Sequence, residues 1–173
     1  MSRILALLIT GLLFTSSFPT ISAWGQQAPE LTAAPVPPQI ANAKRVFISN
    51  AGEETNFRPA KDAWYTGGPN RTYNQFYAAI KSWGRYELVS SPADADLVFE
   101  IGFTDRPQAP IVLSQIKLVL RDPRTNVRLW TLTKYIEFAG LAKNREKNYD
   151  VAMNALMDDV KSLVSASATS APK

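Results

Sequence analysis

Two runs of alternating apolar and polar residues, Ile111–Arg121 and Val127–Glu137, flank the turn Asp122-Pro123-Arg124-Thr125-Asn126. A period of two is the strand signature, because successive side chains leave opposite faces of the pleated backbone. Pro and Asn between the runs supply turn chemistry. An isolated hairpin is marginal in water, so this one requires a further layer on its apolar face. On the first strand Ile116, Leu118 and Leu120 share a face, with Lys117 and Arg121 opposite. On the second, Trp130, Leu132 and Ile136 share a face with Arg128 and Lys134, and Leu129, Thr131, Thr133 and Tyr135 share the other. A one-residue slip exchanges these faces, and the pattern alone does not fix the register.

The remaining elements supply that layer. Arg45–Ser49 reads as a first strand around Val46 and Ile48, followed by a long connection, Asn50–Pro69. Asn70 or Thr72 can cap a helix whose Tyr73, Phe76, Tyr77, Ile80 and Trp83 fall on one face and which Gly84 stops. A short strand Tyr86–Val89 and a capped turn Ser91–Asp94 lead to a strand with Leu97, Phe99, Ile101 and Phe103 on one side. After a loop at Pro107–Pro110 come the hairpin and a helix over about Arg145–Val164. Ala152, Leu156, Val160 and Leu163 form that helix's stripe, widened by Tyr149, Met153 and Val164. The predicted class is α+β: a two-layer sandwich in β-α-β-β-β-β-α order, with a mainly antiparallel sheet of four or five strands and two helices packed on one face.

The N-terminus carries Arg3, an apolar run Ile4–Phe14 and small residues up to Ala23, the pattern of a secretory signal peptide. The expected organisation is a signal peptide 1–23, with cleavage after Gly25 as the alternative, a Pro/Ala-rich linker 24–43, one α+β domain 44–165 and a disordered tail 166–173. The apolar run is shorter than the roughly twenty residues of a membrane span. An exported chain, periplasmic or secreted, with no transmembrane span after cleavage is the expectation. The sequence contains no cysteine, which excludes both disulfides and a lipidated N-terminal cysteine. The net charge of +4 is modest, and export argues against a nucleic-acid partner.

The sequence has no histidine either, which removes Ser-His-Asp and Cys-His catalysis and every imidazole or thiolate metal site. Ser114-Gln115-Ile116-Lys117 matches the S-x-x-K pattern of serine acyl-enzymes. That pattern needs a helix to place i and i+3 together, whereas a strand sends them to opposite faces. Asp94 and Asp96 form the closest acidic pair and read as capping and strand-start residues. Among Glu53, Glu54, Glu100, Asp105 and Glu137, only Glu100 suggests a partner, Lys117 across the sheet. Gly67-Gly68-Pro69-Asn70-Arg71 precedes a helix N-terminus and could hold an anion; Asn70-Arg71-Thr72 is also a glycosylation sequon. No catalytic residue, cofactor or metal ligand is expected. Trp64, Tyr65, Arg71, Arg121, Arg124 and Arg128 are the candidate interaction surface. Lys143, Arg145 and Lys147 precede the last helix, the end where the macrodipole disfavours cations, and so point to an acidic partner or surface.

"ADADLVFEIGF", "KLVLRDPRTNVRLWT" and the terminal amphipathic helix together resemble the αβ modules of bacterial envelope proteins of the CsgG, TolB N-terminal and LpoB type. There an Ala-Asp-(Leu/Tyr)-(Val/Leu) strand start, here Ala95–Val98, precedes an Asp-x-x-Thr-x-x-x-x-Trp hairpin, here Asp122–Trp130. The chain departs from them in its long Asn50–Pro69 connection and in lacking a lipidated cysteine. The resemblance implies a non-catalytic protein-interaction module that binds another envelope protein, with oligomeric state open. The alternative is a small ligand-binding protein or enzyme using residues 50–69 as a lid, with Glu53, Glu54, Trp64, Tyr65 and Arg71 around a pocket.

Overall fold

A computed structural model describes residues 34–55, 65–108 and 111–169. The expected leader 1–23, linker residues 24–33, Trp64 and tail residues 170–173 lie outside them. The chain runs α1 (Pro38–Asn42), β1 (Arg45–Thr55), α2 (Arg71–Trp83), β2 (Glu87–Leu88), β3 (Leu97–Gln108), β4 (Ile111–Arg121), β5 (Arg128–Ile136) and α3 (Ala142–Thr169), with a 3-10 turn at Pro92–Asp94 before β3. The class is the expected α+β, a five-stranded open sheet with helices packed on it.

The sheet order is β2-β1-β3-β4-β5. β3, β4 and β5 form an antiparallel meander, while β1 runs parallel to both β2 and β3, so the sheet is mixed. The hairpin register sets Leu118 opposite Leu132 and Leu120 opposite Trp130. Its core face carries Ile116, Leu118, Leu120 and Ile136, all buried. One expected neighbour leaves that face. Leu129 is a bulge residue, and the extra position sets Arg128 opposite Arg121, on the side away from Trp130.

Leu97, Phe99, Ile101 and Phe103 of β3 meet Phe76 and Ile80 of α2 and Tyr149, Leu156 and Val160 of α3 in one buried cluster. α2 ends where expected: Gly84, at φ 67°, takes the left-handed turn that a side chain would strain, and its N–H bonds the Ile80 carbonyl. The Asn70 side chain does not cap α2; its Oδ1 accepts a 2.9 Å bond from Asn50 Nδ2 instead.

Three boundaries differ from expectation. Pro38–Asn42, expected as tether, forms a helical turn with Pro at its first positions, and Ile40 and Ala43 enter the core. A few apolar side chains in a Pro-rich stretch, Val36, Ile40, Ala41 and Ala43, leave no periodicity to detect, yet they suffice to dock it. β1 continues to Thr55, so the first part of the expected Asn50–Pro69 connection is strand. α3 starts at Ala142 and runs to Thr169, beyond the expected end at Val164 and into the expected tail, because Ser and Ala continue a helix without needing to be buried.

Candidate functional site: the open face of the sheet

The helices cover only one face of the sheet. The other presents Phe47 and Ser49 from β1, Val98, Glu100, Gly102 and Thr104 from β3, Gln115, Lys117, Val119 and Arg121 from β4, and Thr131, Thr133 and Tyr135 from β5. Near its middle is a notch of about 200 Å³ whose floor is Gly52 and Gly102, paired across β1 and β3. Two local choices create it. A bulge at Ala51 brings that residue over the sheet, and a Cβ on Gly102 would lie 3.1 Å from the Ala51 Cβ and 3.3 Å from the Gly52 carbonyl oxygen. Glycine at 102 therefore permits the close approach.

The notch walls are charged. Glu54 and Glu100 stand toward β1 and β3, and Lys117 and Arg128 toward β4 and β5. Glu100 is engaged: Arg121 Nε donates to it at 2.7 Å. This replaces the expected Glu100–Lys117 pair, because Glu100 stands opposite Val119 while Lys117 stands opposite Gly102. Glu54 has a partner of its own. Among the described residues Lys117 and Arg128 have none. The bulge at Leu129 places Arg128 beside Arg121, so this face carries three cations, Lys117, Arg121 and Arg128, against the two carboxylates Glu54 and Glu100. Arg124 stands exposed at the turn, where its N–H bonds Asp122 Oδ1.

The other expected site residues have gathered elsewhere. Arg71 and Tyr65 lie on the helical side of the sheet, near the level of Asn50 and Phe103. Val98, at the level of Arg121, and Phe103 are roughly 17 Å apart along β3. The Arg71 side chain is only 10% exposed. It bonds Glu146, reaches Asp150 Oδ1 at 3.0 Å and stacks 4.0 Å from the Tyr149 ring centroid. Tyr65 packs on Phe103 and Tyr149, with ring centroids 5.6 and 5.3 Å away. These two are a packing latch between α2, α3 and the segment before α2, and not an exposed surface. With its guanidinium committed to α3, Arg71 is not available to an anion at the helix N-terminus either.

Glu53 joins this latch, since the Ala51 bulge turns it to the helical side, opposite Phe103, while Glu54 faces the notch. Burial pushes the Glu53 carboxyl above its ordinary value, against the pull of Arg71. Burial acts on Glu146 in the same sense, but the Thr66 N–H and Arg71 outweigh it and hold that carboxyl below its usual range. Tyr149 shares a 2.6 Å hydrogen bond with Thr72, and burial pushes its hydroxyl up to about 12.

Ser114 is buried and donates to Asp105 Oδ1 at 2.7 Å. It lies on the helical face and Lys117 on the open one, as strand geometry requires, so the S-x-x-K match brings no base to the serine. Asp96 acts at the strand start, as expected, and not as a helix cap: its Oδ2 accepts the N–H groups of Lys44 and Arg45 at 3.0 and 2.9 Å, fixing the start of β1 beside β3. The nearby turn is capped by Ser91. Lys143, Arg145 and Lys147, expected to precede the last helix, lie in the first turns of α3, where Arg145 donates to the Gly140 carbonyl at 2.7 Å.

No protein-family model matches the chain, and no curated protein matches it. Among solved structures, a neuraminyllactose-binding hemagglutinin homolog from Helicobacter pylori aligns with 80% of this chain and 88% of its own length, at 10% identity and a TM-score of 0.36. That likeness assigns neither fold nor function here. No helix among the described residues is long and apolar enough to cross a membrane.

Proposed function

We propose that the chain is an exported, non-catalytic interaction module of the bacterial envelope that docks an acidic segment of a partner protein on the open face of its sheet. The observation that carries this reading is the sheet face that the described helices leave uncovered, where Lys117 and Arg128 have no ionic partner among the described residues beside a glycine-floored notch. Charge complementarity sets the chemistry: carboxylates of the partner would meet Lys117 and Arg128, and the notch would admit a side chain over Gly52 and Gly102. Strand addition along β5 is less favoured, because Lys134 points to the helical side of that edge and bonds Asp159 of α3 at 2.8 Å, a charged guard against edge pairing. Export rests on the residue pattern 1–23, and the lack of histidine and cysteine supports a role without catalysis.

A photo-crosslinking residue at Thr133, on the open face, tests the reading against one at Lys81 on α2. The expected result is a salt-sensitive adduct at Thr133 only, mapping to an Asp/Glu-rich segment and lost in Lys117→Glu/Arg128→Glu. Equal adducts from both positions, indifference to charge reversal or an adduct with a second copy of the chain would each overturn it. Export is read separately, as a mature N-terminus at Trp24 or Gln26 in the envelope or culture fraction.

A further inference from the structure

We propose that the connection between β5 and α3 is a lipid-surface contact, in which Phe138 and Leu141 enter the interface of an anionic bilayer flanked by Lys143 and Lys147. The observations are independent of the open face and lie at the other end of β5 from the hairpin tip. Phe138 is 57% exposed and Leu141 71% exposed. The apolar core of the domain lies alongside, and these side chains stay out of it.

They are held out by construction. Arg145 donates to the carbonyl of Gly140 at 2.7 Å, and Asn148 Nδ2 donates to that of Glu137 at 2.9 Å. The N–H groups of Asn144 and Arg145 both reach the Leu141 carbonyl, at 3.1 and 3.0 Å. The connection is thus clamped to the first turns of α3 with Phe138 and Leu141 more than half exposed. Residues 143, 147 and 151 follow at i, i+4 and i+8, which places Lys143, Lys147 and the exposed Val151 on one stripe of the helix.

Charge and size choose the partner. Among the described residues neither lysine has an ionic partner. Of the carboxylates from 135 to 151, Glu146 and Asp150 are held by Arg71, leaving Glu137 alone. The stripe is therefore net cationic, and it borders protruding apolar groups. A stable protein interface buries roughly 800 Å² on each partner, whereas a fully buried aromatic side chain offers about 150–250 Å². A tip of this size is too small for the former. It suffices for interfacial insertion, where a few apolar side chains enter the acyl boundary and lysine stems let the ammonium groups stay at the headgroups.

The absence of cysteine makes the test clean, since one introduced cysteine is the sole labelling site. Leu141→Cys carries an environment-sensitive fluorophore, and Val127→Cys, at the 55% exposed hairpin tip, is the control. Both are measured in the chain as it accumulates in an expressing bacterium, whatever its N-terminus. With vesicles of mixed phosphatidylcholine and phosphatidylglycerol, the probe at 141 is expected to shift to the blue and the probe at 127 to stay unchanged. Removing Lys143 or Lys147 as glutamine should weaken the response about fivefold per charge. Vesicles of phosphatidylcholine alone should give a weaker response, insensitive to salt. A silent probe at 141, or equal shifts at both positions, overturns the assignment. So does a shift at 141 that follows protein concentration without vesicles, which would make the surface a contact between copies.

Discussion

Arg71 lays its guanidinium 4.0 Å from the centroid of the Tyr149 ring while its nitrogens hold Glu146 and Asp150, so one side chain of α2 binds three successive positions of one face of α3. The stack and the ion pairs reinforce one another, because the ring shields the pairs from water on one side. Arg71→Ala leaves Glu146 half-buried with only the Thr66 N–H, and is expected to cost about 2 kcal/mol in urea unfolding. Arg71→Lys should recover less than half of that, since an ammonium cannot reach two carboxylates and cover the ring together.

The two buried tyrosines should respond oppositely to loss of the hydroxyl. Tyr149 shares its hydroxyl with Thr72, whereas that of Tyr86 is buried without a partner among the described residues. Tyr149→Phe should destabilise by about 1 kcal/mol and strand the threonine. Tyr86→Phe should be neutral or stabilising by up to about 1 kcal/mol, because it removes an unsatisfied group and keeps the ring against Phe99 and Trp83. Thermal midpoints of the two variants decide it.

Gly102→Ala should cost about 1–3 kcal/mol, because the new methyl meets the Ala51 methyl at 3.1 Å and backbone at 3.3 Å. Ala51→Gly in the same chain should recover part of the loss by removing one of the two contacts. Chemical denaturation of the single and double variants reads both outcomes.

The acid limb of stability should carry two contributions of opposite sign. Backbone N–H groups of Arg45 and Lys44 hold the Asp96 carboxyl below its ordinary 3.8. Its contribution is present above that value and is lost as pH falls through the depressed folded value. Glu53 behaves in reverse. Its folded carboxyl lies above the ordinary 4.5, so the folded state binds the proton more readily and stability falls as pH rises through that window. Asp96→Asn should therefore lower the urea midpoint at neutral pH. Glu53→Gln should raise it, with the gain disappearing in acid below 4.5. A drop for Glu53→Gln at neutral pH would mean that the attraction of Arg71 outweighs burial.

Ile40 tests where the domain begins. It is fully buried although it lies in a Pro-rich stretch. Ile40→Ala should cost about 2–4 kcal/mol, as a core truncation does, and should open the bonds before Lys44 to limited proteolysis.

Much of the fold was legible because it is written in periods. The apolar positions of β3, the core-face positions of the hairpin and the stripe of α3 face inward as their spacing requires, and so do Phe76 and Ile80 of α2, whereas Tyr77 of the expected face is exposed. What escaped has no period. A parallel strand looks like any other until its neighbours are known, so nothing near Val46 or Ile48 announced that β1 would lie between β2 and β3. Bulges at Ala51 and Leu129 each insert one residue, and that single step sends Glu53 to the helices and Arg128 to the open face. Ile40 is one apolar residue among prolines. The candidate site was half legible: the charge of Arg121 and Arg128 was plain, whereas the notch depends on glycines that meet only across strands. Tyr65 and Arg71 looked like surface because a latch between distant segments leaves no mark in either one.

The position of β1 also bears on the order in which the molecule assembles. Gln108 and Ile111 pair across a very short connection, and Arg121 and Arg128 across a turn, so the meander can zip from local encounters. Val46 must instead find Leu97 from 51 positions away, with α2 already placed between them. Loop closure of that span is entropically costly and is repaid only when the core seals. We therefore expect a transition state in which β3, β4 and β5 are structured and β1 is not. Truncation of Leu118 would slow folding while truncation of Ile48 would chiefly speed unfolding; the reverse pattern of rates would sink this order of events. By this reckoning the parallel strand β1 is the last major piece of the sheet to arrive.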